Sequence, residues 1–173
     1  MGACRLSEAK ELAVYTWVST ILPGLTVIWD KPNRPRPALP YATLNISSGP
    51  RGEGSPDMRY KEPDTFTHTI RKVITLTVNI YAENAYLSYM EELINSLNLS
   101  TTQGTLRAAG LAVRSNADPV DLSRLLDTTY EQRVSTDFFL AYAGELDDVS
   151  GEIARVTYTG QGYGFTEQAV DTT

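Results

Sequence analysis

The residues of this chain whose types could do chemistry are few and scattered. His68 is the only histidine and Cys4 the only cysteine. A nucleophilic relay needs a Ser or Cys with an imidazole and a carboxylate held against it. His68 lies in TFTHTIRK, among threonines and cations, with no such partner motif. It reads as a half-exposed strand residue. A single cysteine excludes an internal disulfide and a cysteine-based zinc site. Adjacent carboxylates occur at Glu91-Glu92 and Asp147-Asp148, but an acid–base pair needs facing geometry and pKa values pushed apart. Glu91-Glu92 falls on the outer face of a helical pattern, and Asp147-Asp148 precedes Val149-Ser150-Gly151, a turn setting, so both read as solvated. Gly160-x-Gly162-x-Gly164 resembles a phosphate-loop fragment, but no Lys accompanies it and no helix follows. These patterns predict no catalytic residue, no cofactor and no metal; the chain is not expected to be an enzyme.

What the sequence does specify is strand. From Thr65 to Ala82, TFTHTIRKVITLTVNIYA, the even positions from Ile74 onward are Ile74, Leu76, Val78 and Ile80, and the odd ones are mostly threonine and asparagine. Alternate side chains point to opposite faces of a strand, so one face is aliphatic and the other polar. Fully extended, the stretch would span roughly 60 Å, longer than ordinary strands. Its first half, where His68 and Lys72 interrupt the apolar face, is expected to project beyond the core.

Other elements follow in order. Ser7 is placed to cap a helix to about Leu22, with Val14, Trp17, Val18 and Ile21 on one stripe and Pro23-Gly24 as its stop. Leu25–Trp29 reads as a short strand. The proline-rich DKPNRPRPALPY reads as a stiff extended connector. Ala42–Ile46 alternates as a second strand. Residues 47–64, SSGPRGEGSPDMRYKEPD, read as a long flexible loop. Asn84 opens a second helix with Tyr86, Met90, Leu93 and Leu97 on one face, followed by a short helical turn ending at Gly110 and a strand over 111–115. Asp118-Pro119 suggests a brief helical piece bearing Leu122, Leu125 and Leu126. Then come a long strand over 130–146, a DDVSG turn, a last strand with Ile153, Val156 and Tyr158, and a polar tail over 161–173. Helices and strands are segregated rather than alternating, which predicts an α+β fold, mostly antiparallel, with two main helices on one face of the sheet. The whole, residues 1–173, is expected to form one domain.

Composition narrows the partners. The chain is 42% hydrophobic and 21% charged, within the soluble globular range. No apolar run suffices for a membrane span, and the first residues, MGACRLSEAKEL, carry no apolar signal core, so a cytosolic product is expected. A net charge of −6 argues against gripping a phosphate backbone. Arg51, Met58, Arg59, Tyr60 and Lys61 combine apolar anchors with charge, as an interface core and rim do. With His68, Asp147 and Asp148 they form the expected contact surface, ordering on assembly.

The order of helix, strand ending in Trp29, NRPRPALPYATLNI, long strand, helix and closing VSTDFFLAYAGELDDVSGEIARVTYTG resembles the neck or tail terminator (tail-completion) proteins of long-tailed bacteriophages. The resemblance covers about residues 6–160. It implies a small α+β domain whose copies close into a ring, typically a hexamer. Such a ring caps the head-proximal end of the tail tube, stops its polymerisation and joins the head connector. The implied partners are further copies of the chain, the tail tube protein and the head-completion or connector protein. DNA would pass through the lumen without specific binding, and the protein would reside in the virion neck after assembly in the host cytoplasm. Two other readings are a different head–tail joining protein, such as a head-closure or tube-like protein, and a cytosolic binding module unrelated to phage.

Overall fold

The computed structural model describes residues 6–30, 35–62, 65–126 and 129–149. The described helices are α1 (Glu8–Ile21), α2 (Tyr86–Asn95) and α3 (Ser100–Ala108), with a 3-10 turn Ser96–Asn98 between the last two. The described strands are β1 (Thr26–Trp29), β2 (Tyr41–Glu62), β3 (Thr65–Tyr81), β4 (Ala112–Asn116), β5 (Val120–Asp121), β6 (Arg124–Leu126), β7 (Thr129–Glu131) and β8 (Arg133–Val149). Six of them form one sheet in the order β1-β2-β3-β8-β4, with β5 also on β8; β6 and β7 pair separately. The architecture is α+β with a mostly antiparallel sheet, as the segregated pattern predicts. One exception is parallel: β1 runs alongside β2 from Thr26 beside Tyr41 to Trp29 beside Leu44. The proline-rich segment between them is the crossover such a pairing requires.

By their contacts the described residues fall into two compact units, one within 6–55 and 70–144, the other within 56–69 and 145–149. The strands β2, β3 and β8 contribute residues to both.

The first unit contains the hydrophobic core. Ile74, Leu76, Val78 and Ile80 of β3 are buried together with Trp17 and Val18 of α1, Met90 and Leu93 of α2, and Val134, Phe138 and Leu140 of β8. Trp17 meets Phe138 edge-on at 5.4 Å between ring centroids, and its indole N–H donates to Ser96 Oγ at 2.9 Å. That bond satisfies the one polar atom the ring carries into the core. Ser7 occupies the N-cap of α1, but its backbone does the capping: its carbonyl accepts from the N–H groups of Lys10 and Glu11 at 2.9 and 3.0 Å. Glu8 and Glu11 in the first turn complement the helix dipole. At α2 the capping residue is Ala85, in the left-handed region at φ 61, one place later than Asn84.

The opposite face of β3 is closed by polar and aromatic pairs. Tyr41 stacks on Tyr81, Asn79 donates to Thr43, Ser47 lies against Thr75 and Thr77, and Gly49 lies beside Val73. Each two-residue step up β2 meets a two-residue step down β3, the signature of antiparallel register.

Three expectations need correction. Residues 47–62 are strand, the continuation of β2, and not a loop. Two physical reasons stand out. Beyond Leu44 no β1 residue pairs with β2, so prolines there remove no ladder bond on that edge. Gly49, at φ 101, lets the chain pass where a Cβ would sit 2.6 Å from the Val73 carbonyl oxygen. The brief helix expected after Pro119 is strand, β5 and β6. There the Leu122 N–H donates to the Arg133 carbonyl at 2.8 Å and the Ser123 N–H to Asp121 Oδ1 at 2.9 Å. Pairing of β5 with β8 and of β6 with β7 prevails over a local helical pattern. Asp147 and Asp148 lie within β8, not in a turn. The strand expected around Ile153, Val156 and Tyr158 and the tail over 161–173 lie outside the described residues.

Changing Leu76 to Asp buries an unpaired carboxylate in the core and should cost about 4 kcal/mol or more, enough to unfold the protein. A soluble variant with an unchanged melting temperature in a thermal scan would show that the faces of β3 are reversed. Gly49→Ala adds a Cβ against the Val73 carbonyl at a strained φ and should cost about 1–3 kcal/mol, read from the denaturation midpoint; no change there would remove the close-approach account of β2.

Candidate interface site

The expected contact residues are placed mainly in the second unit. Its described part consists of residues 56–62 of β2, 65–69 of β3 and 145–149 of β8. Alternation sorts their side chains. Lys61 Nζ donates to Asp147 Oδ2 at 2.8 Å, and Thr67 Oγ1 donates to Asp147 Oδ1 at 2.6 Å. These three mark one face. Tyr60 meets Phe66 edge-on at 5.5 Å between centroids, and His68 Nε2 lies 3.7 Å from Asp148 Oδ2. These mark the other face, since Phe66 and His68 share a side of β3 and both alternate with Thr67.

By the same parity Met58 joins Tyr60 on β2 and Leu146 joins Asp148 on β8. This second face is apolar and open: Met58 and Tyr60 are each 61% exposed and Leu146 is 70% exposed. Single exposed apolar residues need no explanation, whereas several on one face are the kind of patch that protein contacts use. At its margin the His68–Asp148 pair supplies polarity. The arrangement suits burial against another protein and offers no nucleophile, oxyanion donor or facing acid–base pair. Among the described residues no group of three or more His, Cys, Asp or Glu side chains could hold a metal ion. Nor is any helix among them long and apolar enough to cross a membrane.

The expected residues divide. Met58, Tyr60, His68 and Asp148 share the apolar face; Lys61 and Asp147 bridge the polar one, the side to which alternation also assigns the exposed Arg59. Arg51 belongs to the first unit and faces Glu53 at 3.4 Å, a carboxylate that also pairs with Arg114. Leu146 and Phe66 share this open face and are absent from the residues expected from the sequence. The signal for Leu146 was present: it continues the parity of Phe138, Leu140 and Tyr142 along β8.

A second polar cluster lies on the helix-free face of the first unit. Arg36 and Arg133 sit over the Tyr81 ring at 5.7 and 5.2 Å, and Arg36 pairs with Glu131 at 3.0 Å. Burial pushes the Tyr41 and Tyr81 phenols up, and the arginines oppose this without reversing it. Arg133 also donates to Asn79 Oδ1 at 2.8 Å, fixing a guanidinium between the ring and the strand. This cluster ties β2, β3 and β8 together across one face of the sheet and presents no reactive group.

Asp147 is held below the usual carboxylate range, first by the hydrogen bond from Lys61 and then by that from Thr67. A lowered folded-state pKa contributes stability that is present above the ordinary aspartate value of about 3.9 and is lost as pH falls through the lower folded value. Asp147→Asn should therefore melt slightly below the parent at neutral pH, and the two should converge in acid. A gap that persists unchanged at low pH would mean that the carboxylate charge is not what Lys61 and Thr67 recognise.

The family model described as phage neck terminator protein matches residues 12–167. No curated protein matches the chain. The match takes in most of α1, all of α2 and α3, every described strand and the whole apolar face, and on that span the chain belongs to the phage neck terminator protein family.

Proposed function

We propose that this chain closes with further copies of itself, six in all, into a ring at the head-proximal end of the phage tail tube, where it stops polymerisation and offers the surface that joins the head. The observation that carries this reading is the open face of Met58, Tyr60 and Leu146 in a chain that belongs to a neck terminator family. A structural protein of the phage neck works by contact, and this face is the contact it offers. Residues 56–62, 65–69 and 145–149 are strand ends, so docking there need not first order a loop. The partners are neighbouring copies, the tail tube protein and the head-completion or connector protein. The −6 charge suits a lumen that DNA traverses without adhering, because a ring of such protomers repels the duplex. The role is structural and not catalytic, and its place is the virion neck. A head-closure or tube-like protein is the second reading; the same exposed strand ends would then build an open-ended tube.

Electron microscopy of the purified protein and of assembled tails tests this. The parent should give short six-fold rings with a central hole, or cap tails with one such ring. Met58→Asp combined with Tyr60→Asp should leave folding within about 0.5 kcal/mol, as exposed substitutions do, and abolish ring or cap. Open-ended tubes would favour the second reading. Rings unaffected by the double substitution would place the contact surface elsewhere.

A further inference from the structure

Strand β4 ends the sheet: among the described residues it pairs with β8 alone, and its outer edge carries backbone N–H and C=O groups that no described strand takes up. A groove of about 370 Å³ runs along that strand, between it and α3. Leu97, Leu106, Leu111 and Val113 supply apolar lining, and its charged residues are Arg107 and Arg114. No carboxylate lines it among the described residues. The register of β4 against β8 shifts between Val113 and Ser115, which leaves Arg114 as the extra residue of a bulge. Glu53 pairs with Arg114 but also with Arg51, so one carboxylate serves two guanidiniums. The local balance is positive on a chain whose net charge is −6. An edge strand beside a helix, with a groove between them, is the geometry that accepts an added strand: main-chain hydrogen bonds give affinity, and alternate side chains entering the groove give specificity.

We propose that this groove receives residues 161–173 of a second copy of the chain as an added strand. The segment, QGYGFTEQAVDTT, carries Glu167 and Asp171 and no Lys or Arg. At a strand's period of two, Tyr163, Phe165, Glu167 and Asp171 share one side. Two aromatics followed by two carboxylates match a groove with an apolar floor and two arginines. Tyr163 to Glu167 equals β4 in length, about 17 Å. Gly162 and Gly164 fall on the opposite side, where the absence of a Cβ lets two backbones approach closely. The proposal does not depend on ring closure, since an exchange of segments between two copies satisfies it.

Hydrogen exchange on the full-length protein tests it. Amides from Ala112 to Asn116 should exchange at least about tenfold more slowly in concentrated than in dilute protein, and a synthetic peptide of residues 161–173 should protect them in dilute protein. Two charge-swapped variants, Arg107→Glu with Arg114→Glu, and Glu167→Lys with Asp171→Lys, should each lose the concentration-dependent protection. Mixing them should restore it on the groove of the second variant, which meets the native segment of the first. Arg107→Glu alone, which leaves the Arg114–Glu53 pair intact, guards against a folding defect and should weaken protection in the same direction. Protection that ignores concentration and peptide, or that survives both swaps, overturns the proposal. Particle mass measured on the same samples separates this inference from the ring: rings without β4 protection sink only the groove, and β4 protection without rings sinks only the ring.

Discussion

The structure depends on the burial of one face of β3. Ile74, Leu76, Val78 and Ile80 point to one side, and α1, α2 and β8 meet them there through Trp17, Val18, Met90, Leu93 and Phe138. Each such side chain, fully buried, is worth about 1.5–3 kcal/mol, so these few residues fix which way the strand faces. That choice leaves no freedom further along. A strand's period is two, and a slip of one residue would turn every side chain over. Burying Leu76 therefore fixes the faces of its neighbours in the ladder, and the polar side is closed by the Ser47–Thr77–Asp137 and Thr43–Asn79–Arg133 hydrogen bonds.

The same alternation operates in the second unit with a different result. There the strand ends of β2, β3 and β8 sort Lys61, Thr67 and Asp147 to one side and Met58, Tyr60, Phe66, His68, Leu146 and Asp148 to the other. No helix of the second unit's described residues covers the apolar side. A core face is apolar because it is covered within the chain; this face is apolar and left open, and in a neck terminator protein another subunit or a neighbouring virion protein is what can cover it. One periodic device thus builds a covered core face in the first unit and an open apolar face in the second.

Much of this was legible in the sequence. The aliphatic run of β3, the stripe of α1, the face of α2 and the long late strand each carry a strong period; the first three match their observed bounds within about two residues and the late strand within three. The order of these elements also sufficed to suggest the family. What failed were stretches whose local composition contradicts their tertiary role. Residues 47–62 hold glycines and prolines, and read locally as a loop; only their position along the side of β3, with an open outer edge, makes strand affordable. The Asp118–Leu126 region carries a leucine spacing suited to a helix, but β8 draws Val120–Asp121 into the main sheet and β7 pairs with Arg124–Leu126. The open apolar face was half legible. Met58, Tyr60, His68 and Asp148 stand out for their chemistry, whereas Leu146, the last residue of the late strand as the sequence reads it, is found only by carrying the parity of that strand to its end. Arg51 was included because it is close in sequence, and its partner proved to be Glu53.

The central claim is that the open face of Met58, Tyr60 and Leu146 is covered in the assembled neck. Oxidation of methionine by dilute peroxide reads this directly, because the reaction follows exposure of the thioether. Met58 is exposed and Met90 is fully buried in the core, so each sample carries its own control. The account predicts that Met58 oxidises quickly and Met90 slowly in the free protein, and that in assembled necks Met58 slows toward the rate of Met90. Equal rates for Met58 in free and assembled protein, with Met90 protected in both, would contradict it.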